Sequence, residues 1–539
     1  MQTMIRLTLG LSLLSLLIGC GEDIRISKVR QTGFVFCGQG SPNTLNPQQV
    51  NGGITSETLS PQLFDSLLTL HPTSHRPIAN LAQRWKIDES GTRYTFTLRH
   101  DVHFHHTDWF QPTRPLNASD VVFSFRRIID STHPFHHVGG GHYSWFHNIG
   151  FNQLVKNVVA LSDDTVQFIL NHPDNTFLST IATSHAVIFS KEYGDQLIKQ
   201  HHKSLLDTQP IGTGPFYLAD YQANDLIRLK RHPDYWRGAA QMEQVVFDIS
   251  HRGTGTLAKL LRQECDVLSN PISSQLSIIE KQPELDLLTK PSMNISLIAL
   301  NTTHAALNDK RVRKALNFAI NRKNILDSVY YGNGQVAYSV LPPNSWAYEK
   351  DSVHLRYDPH YAAALLREAG YEQGLELTML VPLRPQLYNP SPRKTAELIQ
   401  ANLADIGITV HLITDEHFHR STAISHRDID LFLTGWRAST DDPDHFFRPL
   451  LSCAVERSEL DTALWCHHNF DFLLDLAREV ERPHYRLNLY KQAQALLNDK
   501  FPVIPLSHGM NFQAKAHSLI GFETSPFDAR PFDRVRRIH

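Results

Sequence analysis

An apolar run that changes abruptly into charged residues marks the first candidate site. The run 430–434 is followed by 435–447, which contains the indole of Trp436 and the carboxylates of Asp441 and Asp442. Carboxylates and an aromatic ring grouped in this way can hold a small ligand. A solvated loop in which Asp441 or Asp442 caps the next helix accounts for the same residues. The segment itself leaves both interpretations open.

The elements that would position these side chains are a strand and a bend. The run 430–434 has the length and apolar character of a buried strand, and Gly435 lets the chain turn where the strand ends. In open α/β sheets, ligands bind beyond the carboxyl ends of the strands. The segment after Gly435 is therefore expected at a ligand site.

A second group of candidate ligands is a histidine-rich run at residues 133–147, in a chain with 31 histidines. His136, His137 and His142 are interleaved there with aromatic and glycine residues. Imidazoles can bind a metal ion or haem iron, and they titrate between pH 5 and 8. The alternative is a glycine-rich surface loop without a ligand.

Length and composition indicate a large exported globular protein. The 539 residues are 41% hydrophobic and 20% charged, with a formal net charge of -2. This length corresponds to about three or four domains, although large α/β proteins also fold as two intertwined lobes. The balance of charge argues against nucleic acid or an acidic membrane surface as a partner, because both require concentrated Lys and Arg.

The N-terminus has the pattern of an export signal. Arg6 precedes the apolar run 7–18, which is too short for a membrane span and fits a secretory segment. The run 17–20 ends in Cys20 and resembles a bacterial lipobox, in which the cysteine is acylated and becomes the new N-terminus. A plain cleaved signal peptide is the alternative. Gly21 leaves open which membrane would hold the lipid.

Export makes disulfides possible for the four remaining cysteines. Cys453 and Cys466 enclose a short loop and are predicted to pair, which leaves Cys37 with Cys265. A zinc site is the competing use, but no Cys-x-x-Cys occurs and the four residues are widely scattered.

Periodicity predicts the regular elements of the N-terminal part. They are a strand at Gly33–Cys37, a helix carrying Leu63, Phe64, Leu67 and Leu68, a hairpin of Ala82–Ile87 with Tyr94–Arg99, and a helix capped by Asn117.

Several of these segments carry the signature of a known family. The blocks are Ala82-x-x-Trp85, Tyr94-x-Phe96-x-Leu98-Arg99 and Ala118-x-Asp120-Val121-Val122-Phe123-Ser124-Phe125. Later blocks at 211–217, 232–238 and 312–322 agree. With these blocks the sequence resembles the family 5 extracellular solute-binding proteins, the peptide-binding components of bacterial ABC importers. The resemblance covers nearly the whole mature chain.

The resemblance implies an α/β two-lobe periplasmic binding protein fold with an extra subdomain inserted in lobe one. The hinge crossings are expected near 297–301 and after Phe512. The expected division is a lipoprotein signal peptide at 1–19, lobe one at 20–79 and 195–298, the inserted subdomain at 80–194, lobe two at 299–511, and a return to lobe one at 512–539.

The resemblance also implies a ligand site. In related peptide binders an aspartate of a Gly-Trp-x-x-Asp run binds the ligand's ammonium group, and the matching residue here is Ser439. A hydroxyl supplies no countercharge, so Asp441 or Asp442 substitutes for the aspartate or the amine is not recognised. Arg393 is the residue expected to bind the ligand carboxylate, with an internal ion pair as the alternative. The same alignment places Asn51, Trp436, Arg437 and Ala438 at the site.

The function expected from this resemblance is transport rather than catalysis. A lipid-anchored monomer in the periplasm would bind peptides between its lobes and deliver them to the permease and ATPase subunits of an importer. Cationic antimicrobial peptides are one ligand class that the resemblance suggests, and no cofactor is required. The alternatives are haem or metal capture through the histidine run and, from another class, a periplasmic hydrolase.

Overall fold

The first described strand is short and apolar, and it belongs to a large sheet of twelve strands. In the computed structural model, the described residues are 29–38, 40–249, 254–349, 356–420, 425–453, 465–527 and 529–538. The predicted signal peptide and Cys20 lie outside these ranges. None of the helices within them is long and apolar enough to cross a membrane.

The described strands are, in chain order, β1 Gly33–Cys37, β2 Leu68–Leu70, β3 Pro77–Ala79, β4 Ala82–Ile87, β5 Arg93–Leu98, β6 Val155–Ser162, β7 Thr165–Leu170, β8 Phe216–Gln222, β9 Leu226–Arg231, β10 Gln244–Asp248, β11 Val267–Ser269, β12 Leu285–Pro291, β13 Asn294–Leu300, β14 Gly334–Val336, β15 Leu375–Val381, β16 Ile408–Thr414, β17 Leu431–Arg437, β18 Val503–Ala516, β19 Leu519–Ile520 and β20 Arg536–Arg537.

The described α-helices are α1 Ser60–Leu63, α2 Ala118–Ile129, α3 Ser144–Asn148, α4 Phe151–Leu154, α5 Phe177–Thr180, α6 Lys191–Lys199, α7 Thr254–Leu261, α8 Leu276–Ile279, α9 Lys310–Ala319, α10 Arg322–Val329, α11 Pro359–Glu368, α12 Pro392–Ala404, α13 Asp415–Arg420, α14 Asp444–Leu451, α15 His468–Glu479 and α16 Pro483–Lys500. A π-helical turn, Thr55–Leu59, precedes α1.

The twelve-stranded sheet has two halves joined by the long strand β18. Its main path runs β16-β15-β17-β13-β18-β11-β1-β10-β9-β8, and β12 and β14 also pair with β18. Residues 503–509 of β18 pair with β13 and β14, whereas 510–516 pair with β12. The two halves form two lobes, so the predicted α/β two-lobe fold is confirmed.

The chain passes between the lobes in the short link from β12 to β13. All of β12 pairs with the first-lobe part of β18, and all of β13 pairs with β17 of the second lobe. The crossing therefore lies between Pro291 and Asn294. The predicted limit between residues 298 and 299 falls inside β13.

A separate four-stranded sheet of order β4-β5-β7-β6 lies within the range 80–194 that the sequence assigns to an inserted subdomain. The hairpin of β4 and β5 is antiparallel as predicted. The predicted cap of α2 is also confirmed, since the Asn117 side chain accepts from the amide of Ser119 at 3.0 Å. The Asp120 carboxylate accepts from the amide of Asn117 at 2.9 Å and completes a capping box.

The prediction of a single helix carrying Leu63, Phe64, Leu67 and Leu68 is wrong. Helix α1 ends at Leu63, Phe64 is extended, and Leu68 begins β2. All four side chains are buried, so a helical turn followed by a strand satisfies the same apolar spacing. The secondary structure of this segment is set by burial in the tertiary fold rather than by helical periodicity.

Both predicted disulfides are present. Cys37 at the end of β1 bonds to Cys265 just before β11, with Cα atoms 5.9 Å apart. Cys453 bonds to Cys466 with Cα atoms 4.6 Å apart.

Candidate functional site

The main cleft forms where strands of the two lobes end facing each other. In the first lobe β1 and β11 are parallel, and the chain continues from them into Gly38 and Asn270. In the second lobe β15 and β17 are parallel. The segment 384–388 follows β15, and β17 ends at Arg437. All of these residues line one chamber of about 420 Å³. The position beyond carboxyl strand ends is where ligands bind in such sheets.

The chamber is one part of a longer cleft. An apolar chamber of about 340 Å³ shares Ser269, Asn270 and 385–387 with it. A cavity of about 30 Å³ that is lined by Glu57 and Arg437 shares Ser525, Phe527 and Ala529 with a chamber of about 100 Å³. The cleft is thus large enough for several residues of an extended ligand.

Gly435 and Trp436 form the floor of the cleft. A Cβ atom at Gly435 would lie 2.3 Å from both the Ile295 carbonyl oxygen and the Tyr388 ring, so only glycine fits beneath that ring. The Trp436 side chain is buried and its Nε1 donates to the carbonyl oxygen of His445 at 2.6 Å. The indole therefore serves both the core and the wall of the cleft.

An ion pair crosses the cleft. Arg437 at the end of β17 bonds to Glu57 in the π-helical turn of the first lobe, with Nη1 and Oε2 2.8 Å apart. Both side chains are more than four-fifths buried. Glu57 also accepts from the amide of Gly53 at 3.0 Å through Oε1. The two lobes are thereby held together by a charge pair within the cleft wall.

The carboxylates that follow this wall are used inside the protein. The Asp442 carboxylate accepts from Arg486 at 2.8 Å and from the Tyr490 hydroxyl at 3.1 Å. It also accepts from the amide of Asp444, the first residue of α14, but the N-cap of that helix is Pro443 and not Asp441 or Asp442. Asp441 lies 3.4 Å from the His75 ring nitrogen. Neither residue lines a cleft chamber.

Asp444 is the centre of a buried network at the end of α15. Its carboxylate binds the guanidinium groups of Arg448 and Arg478, and Arg478 also approaches Asp174 at 3.4 Å. Burial acts to raise the pKa of Asp444, but the two guanidinium groups outweigh it and hold that pKa far below its usual range. Arg478 thus joins Asp444 at the start of α14 to Asp174, which is distant in sequence.

The sequence as a whole matches a described family. A sequence model of the bacterial extracellular solute-binding proteins, family 5 Middle, matches residues 76–457. This protein belongs to family 5 of the bacterial extracellular solute-binding proteins.

Curated relatives of this family 5 protein cover almost all of its length. It is 42% identical over 516 residues to the peptide transport periplasmic protein SapA of Salmonella typhimurium, covering 96% of this chain and 94% of that protein. It is 35% identical to the Escherichia coli dipeptide-binding protein, covering 98% of both chains. The heme-binding protein A of Haemophilus influenzae is 35% identical, over 92% of this chain and 90% of its own.

Solved structures agree on the fold. The dipeptide-binding protein of a Pseudoalteromonas species, in complex with Met-Leu, has a TM-score of 0.87 and 38% identity, over 94% of this chain and all of its own. The Helicobacter pylori DppA protein in complex with the peptide STSA has a TM-score of 0.85 and 27% identity, over 95% and 99% of the two chains.

Arg393, the residue expected to bind a carboxylate in this family 5 protein, lies outside the cleft. It occupies the second position of α12 with its side chain 86% exposed, and its Nε donates to Glu397 at 2.9 Å. The buried face of α12 is formed instead by residues such as Thr395 and Ile399. The internal ion pair, which the sequence left as the alternative, is the arrangement found here.

Arg384 is an exposed arginine that lines the same chamber as Arg437, and sequence reasoning missed it. It follows β15 by three residues and forms no ion pair with a carboxylate in the described ranges. Its position beyond the carboxyl end of a central strand was the signal that could have identified it.

The other expected site residues divide between the chambers. Asn51 lines the largest chamber and its side-chain oxygen accepts from Asn148 at 3.3 Å. Ala438 is buried and lines none of the described chambers, and its amide donates to the Met293 carbonyl oxygen at 2.9 Å. Ser439, at the position of the family aspartate, is nearly buried and lines the chamber of about 100 Å³.

The histidine run of this family 5 protein ends next to Asn148, whose side chain bonds to Asn51 of the cleft. His137 and His142 are exposed, and the Nδ1 of His136 bonds to the Arg127 carbonyl oxygen at 2.8 Å. Within the described ranges, the three potential metal ligands that lie close together are Cys453, Cys466 and His468, and both cysteines are in a disulfide. None of the cleft chambers has a histidine among its described lining residues.

Proposed function

We propose that this protein binds peptides in the cleft between its lobes and delivers them to the permease and ATPase subunits of an ABC importer. The observation that carries the proposal is the chamber of about 420 Å³, which both lobes line and which Arg384 and the Glu57–Arg437 pair supply with charge. Two of the structurally similar proteins hold peptides, a dipeptide and the peptide STSA. The protein would act by binding and release, without catalysis or a cofactor.

The guanidinium of Arg384 would bind the carboxylate terminus of the peptide. The guanidinium group is planar, and its donors pair with a carboxylate through two parallel hydrogen bonds. Within the described ranges, Arg384 forms no ion pair with a carboxylate of the protein that would compete with the ligand. Main-chain groups along the chamber would pair with the extended backbone of the ligand. A ligand that touches both lobes would stabilise their closed arrangement.

We further propose that the chain works as a periplasmic monomer anchored through lipid on Cys20, after removal of residues 1–19. The lipobox-like run 17–20 supports this proposal, together with relatives named as periplasmic proteins. Mass spectrometry of the mature N-terminus would test it, because acylation adds the mass of the lipid to Cys20.

Haem capture is the weaker candidate. The relative named heme-binding protein A supports it. The location of the exposed histidines outside the cleft does not, because imidazole is a usual protein ligand of haem iron. Ligands that remain bound on purification would distinguish the two candidates: a peptide mixture supports peptide transport, and a haem absorption band supports haem capture.

The test of the carboxylate site compares two arginines. We expect Arg384→Gln to weaken peptide binding at least tenfold, on the order of 1.4 kcal/mol, in titration calorimetry with a peptide library fraction. Arg393→Gln is the matched control and should change affinity less than about twofold, because its partner is Glu397 on the surface. The reverse order would reject this assignment of the carboxylate end.

A further inference from the structure

The apolar chamber of the cleft has walls from both lobes, and none of its described lining residues is Asp, Glu, Lys, Arg or His. Its apolar lining residues come from β11 and the chain after it, from the segment that follows β15, and from β18. They include Leu268, Ile272, Leu387, Met510 and Phe512. Such walls favour an apolar occupant, because apolar surface gains free energy when it leaves water.

Polar side chains of this chamber bond to the protein itself. The side-chain amide of Asn270 donates to the Ser269 hydroxyl at 3.2 Å. The Tyr330 hydroxyl donates to the Tyr388 carbonyl oxygen at 2.7 Å. A charged side chain of a ligand would lose its hydration in this chamber and would meet no countercharge among the described lining residues. The chamber therefore disfavours charged groups of either sign.

The second-lobe wall of the chamber is a turn that its own backbone holds in shape. The amide of Gln386 donates to the Asn389 carbonyl oxygen at 2.8 Å, and the amide of Asn389 donates to the Gln386 carbonyl oxygen at 3.0 Å. Pro385 and Pro390 flank this turn, and a proline ring fixes φ. A wall that is already ordered loses little conformational entropy when a ligand binds, so the chamber can select by polarity and size.

The apolar chamber adjoins the expected position of the ligand carboxylate. Gly38, Ser269, Asn270 and 385–387 line both this chamber and the largest one. Arg384, the proposed partner of the carboxylate, directly precedes 385–387 and lines the largest chamber. A peptide that ends at Arg384 would therefore end beside the wall that the two chambers share. Successive side chains of an extended peptide point to opposite faces, so one of its last two side chains can enter the apolar chamber.

We propose that the apolar chamber is a specificity pocket for one bulky apolar side chain from the last two residues of the bound peptide. The inference rests on the proposed peptide-binding function and specifies its ligand class. The volume of about 340 Å³ is within the range of small-molecule pockets, roughly 300–1,000 Å³, and accommodates a leucine, methionine or phenylalanine side chain.

The first experiment uses the full mature protein and tetrapeptides with free termini. Calorimetry would compare tetra-alanine with peptides that carry leucine or asparagine at the third or the fourth position. Leucine at one of these two positions should increase affinity at least tenfold over alanine, because its added carbon atoms leave water. Asparagine has nearly the size of leucine but is polar, and it should change affinity less than about twofold. A gain below threefold for leucine at both positions, or an equal gain for asparagine, would overturn the inference.

The second experiment places a charge on the wall of the chamber and uses a matched control. Ile272 lines the apolar chamber and Ile278 in α8 lines none of the described chambers, yet their exposed fractions are 44% and 43%. Ile272→Asp should decrease the leucine-to-alanine affinity ratio at least threefold, because the carboxylate brings water to the wall. Ile278→Asp should leave the ratio within about twofold. The same ratio in both variants would overturn the inference, and a general loss of folding would affect both peptides alike.

These outcomes separate the inference from the function on which it rests. If no peptide binds and none co-purifies, the proposed function fails and the inference fails with it. If peptides bind and Arg384→Gln weakens them, but leucine brings no gain at either position, peptide binding stands and only the specificity pocket is rejected.

Discussion

Two charged regions at the end of β17 use their charges differently. In the segment of Asp442 and Asp444, each carboxylate is buried and accepts from arginine side chains of α14 to α16. A few residues earlier, Arg437 pairs with Glu57 in the wall of an open chamber. The aspartates of this segment therefore stabilise the fold, whereas the arginines at the chamber wall supply the cleft with charge.

The difference shows that position at a chamber wall, rather than the density of charge in a motif, marks a candidate ligand site, since Arg437 and Glu57 are also paired and largely buried. A buried charge must be paired by the protein itself, so it is not available to a ligand. A charged side chain at a chamber wall can still be contacted by a ligand from the chamber. Three variants test this comparison, beginning with the largest expected effect.

Asp444→Asn should lower the free energy of unfolding by about 3–5 kcal/mol, because it leaves Arg448 and Arg478 buried without their shared carboxylate. Urea denaturation followed by circular dichroism would measure the loss. Asp475→Asn is the matched control, since Asp475 is 60% exposed and binds only the outer side of Arg448, and it should cost less than about 1 kcal/mol. Equal losses would contradict the comparison.

The same network should make the free energy of unfolding depend on pH in the acidic range. The pKa of Asp444 is lower in the folded protein than its ordinary value of 3.8, so the folded state binds this proton less readily than the unfolded state. Its stabilising contribution is therefore complete above about pH 4 and is lost as the pH falls further. Urea denaturation at pH 5 and pH 3 should show a larger loss for the unmodified protein than for Asp444→Asn. Identical losses would show that Asp444 does not titrate as described.

Glu57→Gln should have a smaller effect on stability than Asp444→Asn, about 1 kcal/mol, because glutamine keeps a hydrogen bond to Arg437 and that guanidinium borders a chamber open to water. The same denaturation assay would measure it. A loss of 3 kcal/mol or more would place this pair with the structural network of Asp444 and remove the distinction between the two regions.

Much of the fold could be predicted from the sequence because local patterns agreed with tertiary burial. Strand β1, the β4–β5 hairpin and the Asn117 cap follow from periodicity and capping chemistry. The segment at Leu63–Leu68 could not, because its apolar residues are buried equally well in a turn and a strand.

The site was harder to predict than the fold. Trp436, Arg437 and Asn51 do line the cleft, but Arg384 has no distinctive neighbours in sequence. Arg393 has a distinctive proline-rich setting yet points into solvent. The partner of each charge is set by contacts between distant segments, such as Glu57 with Arg437, and no local pattern reports them.

The shared strand β18 also constrains how the molecule can move. One continuous ribbon of backbone hydrogen bonds belongs to both half-sheets, and only the link at 291–294 accompanies it across the gap. We therefore expect opening to bend or twist this ribbon near residues 509 and 510, where its bonding neighbours change. A pivot of two neighbouring chain segments favours a well-defined opening about one axis.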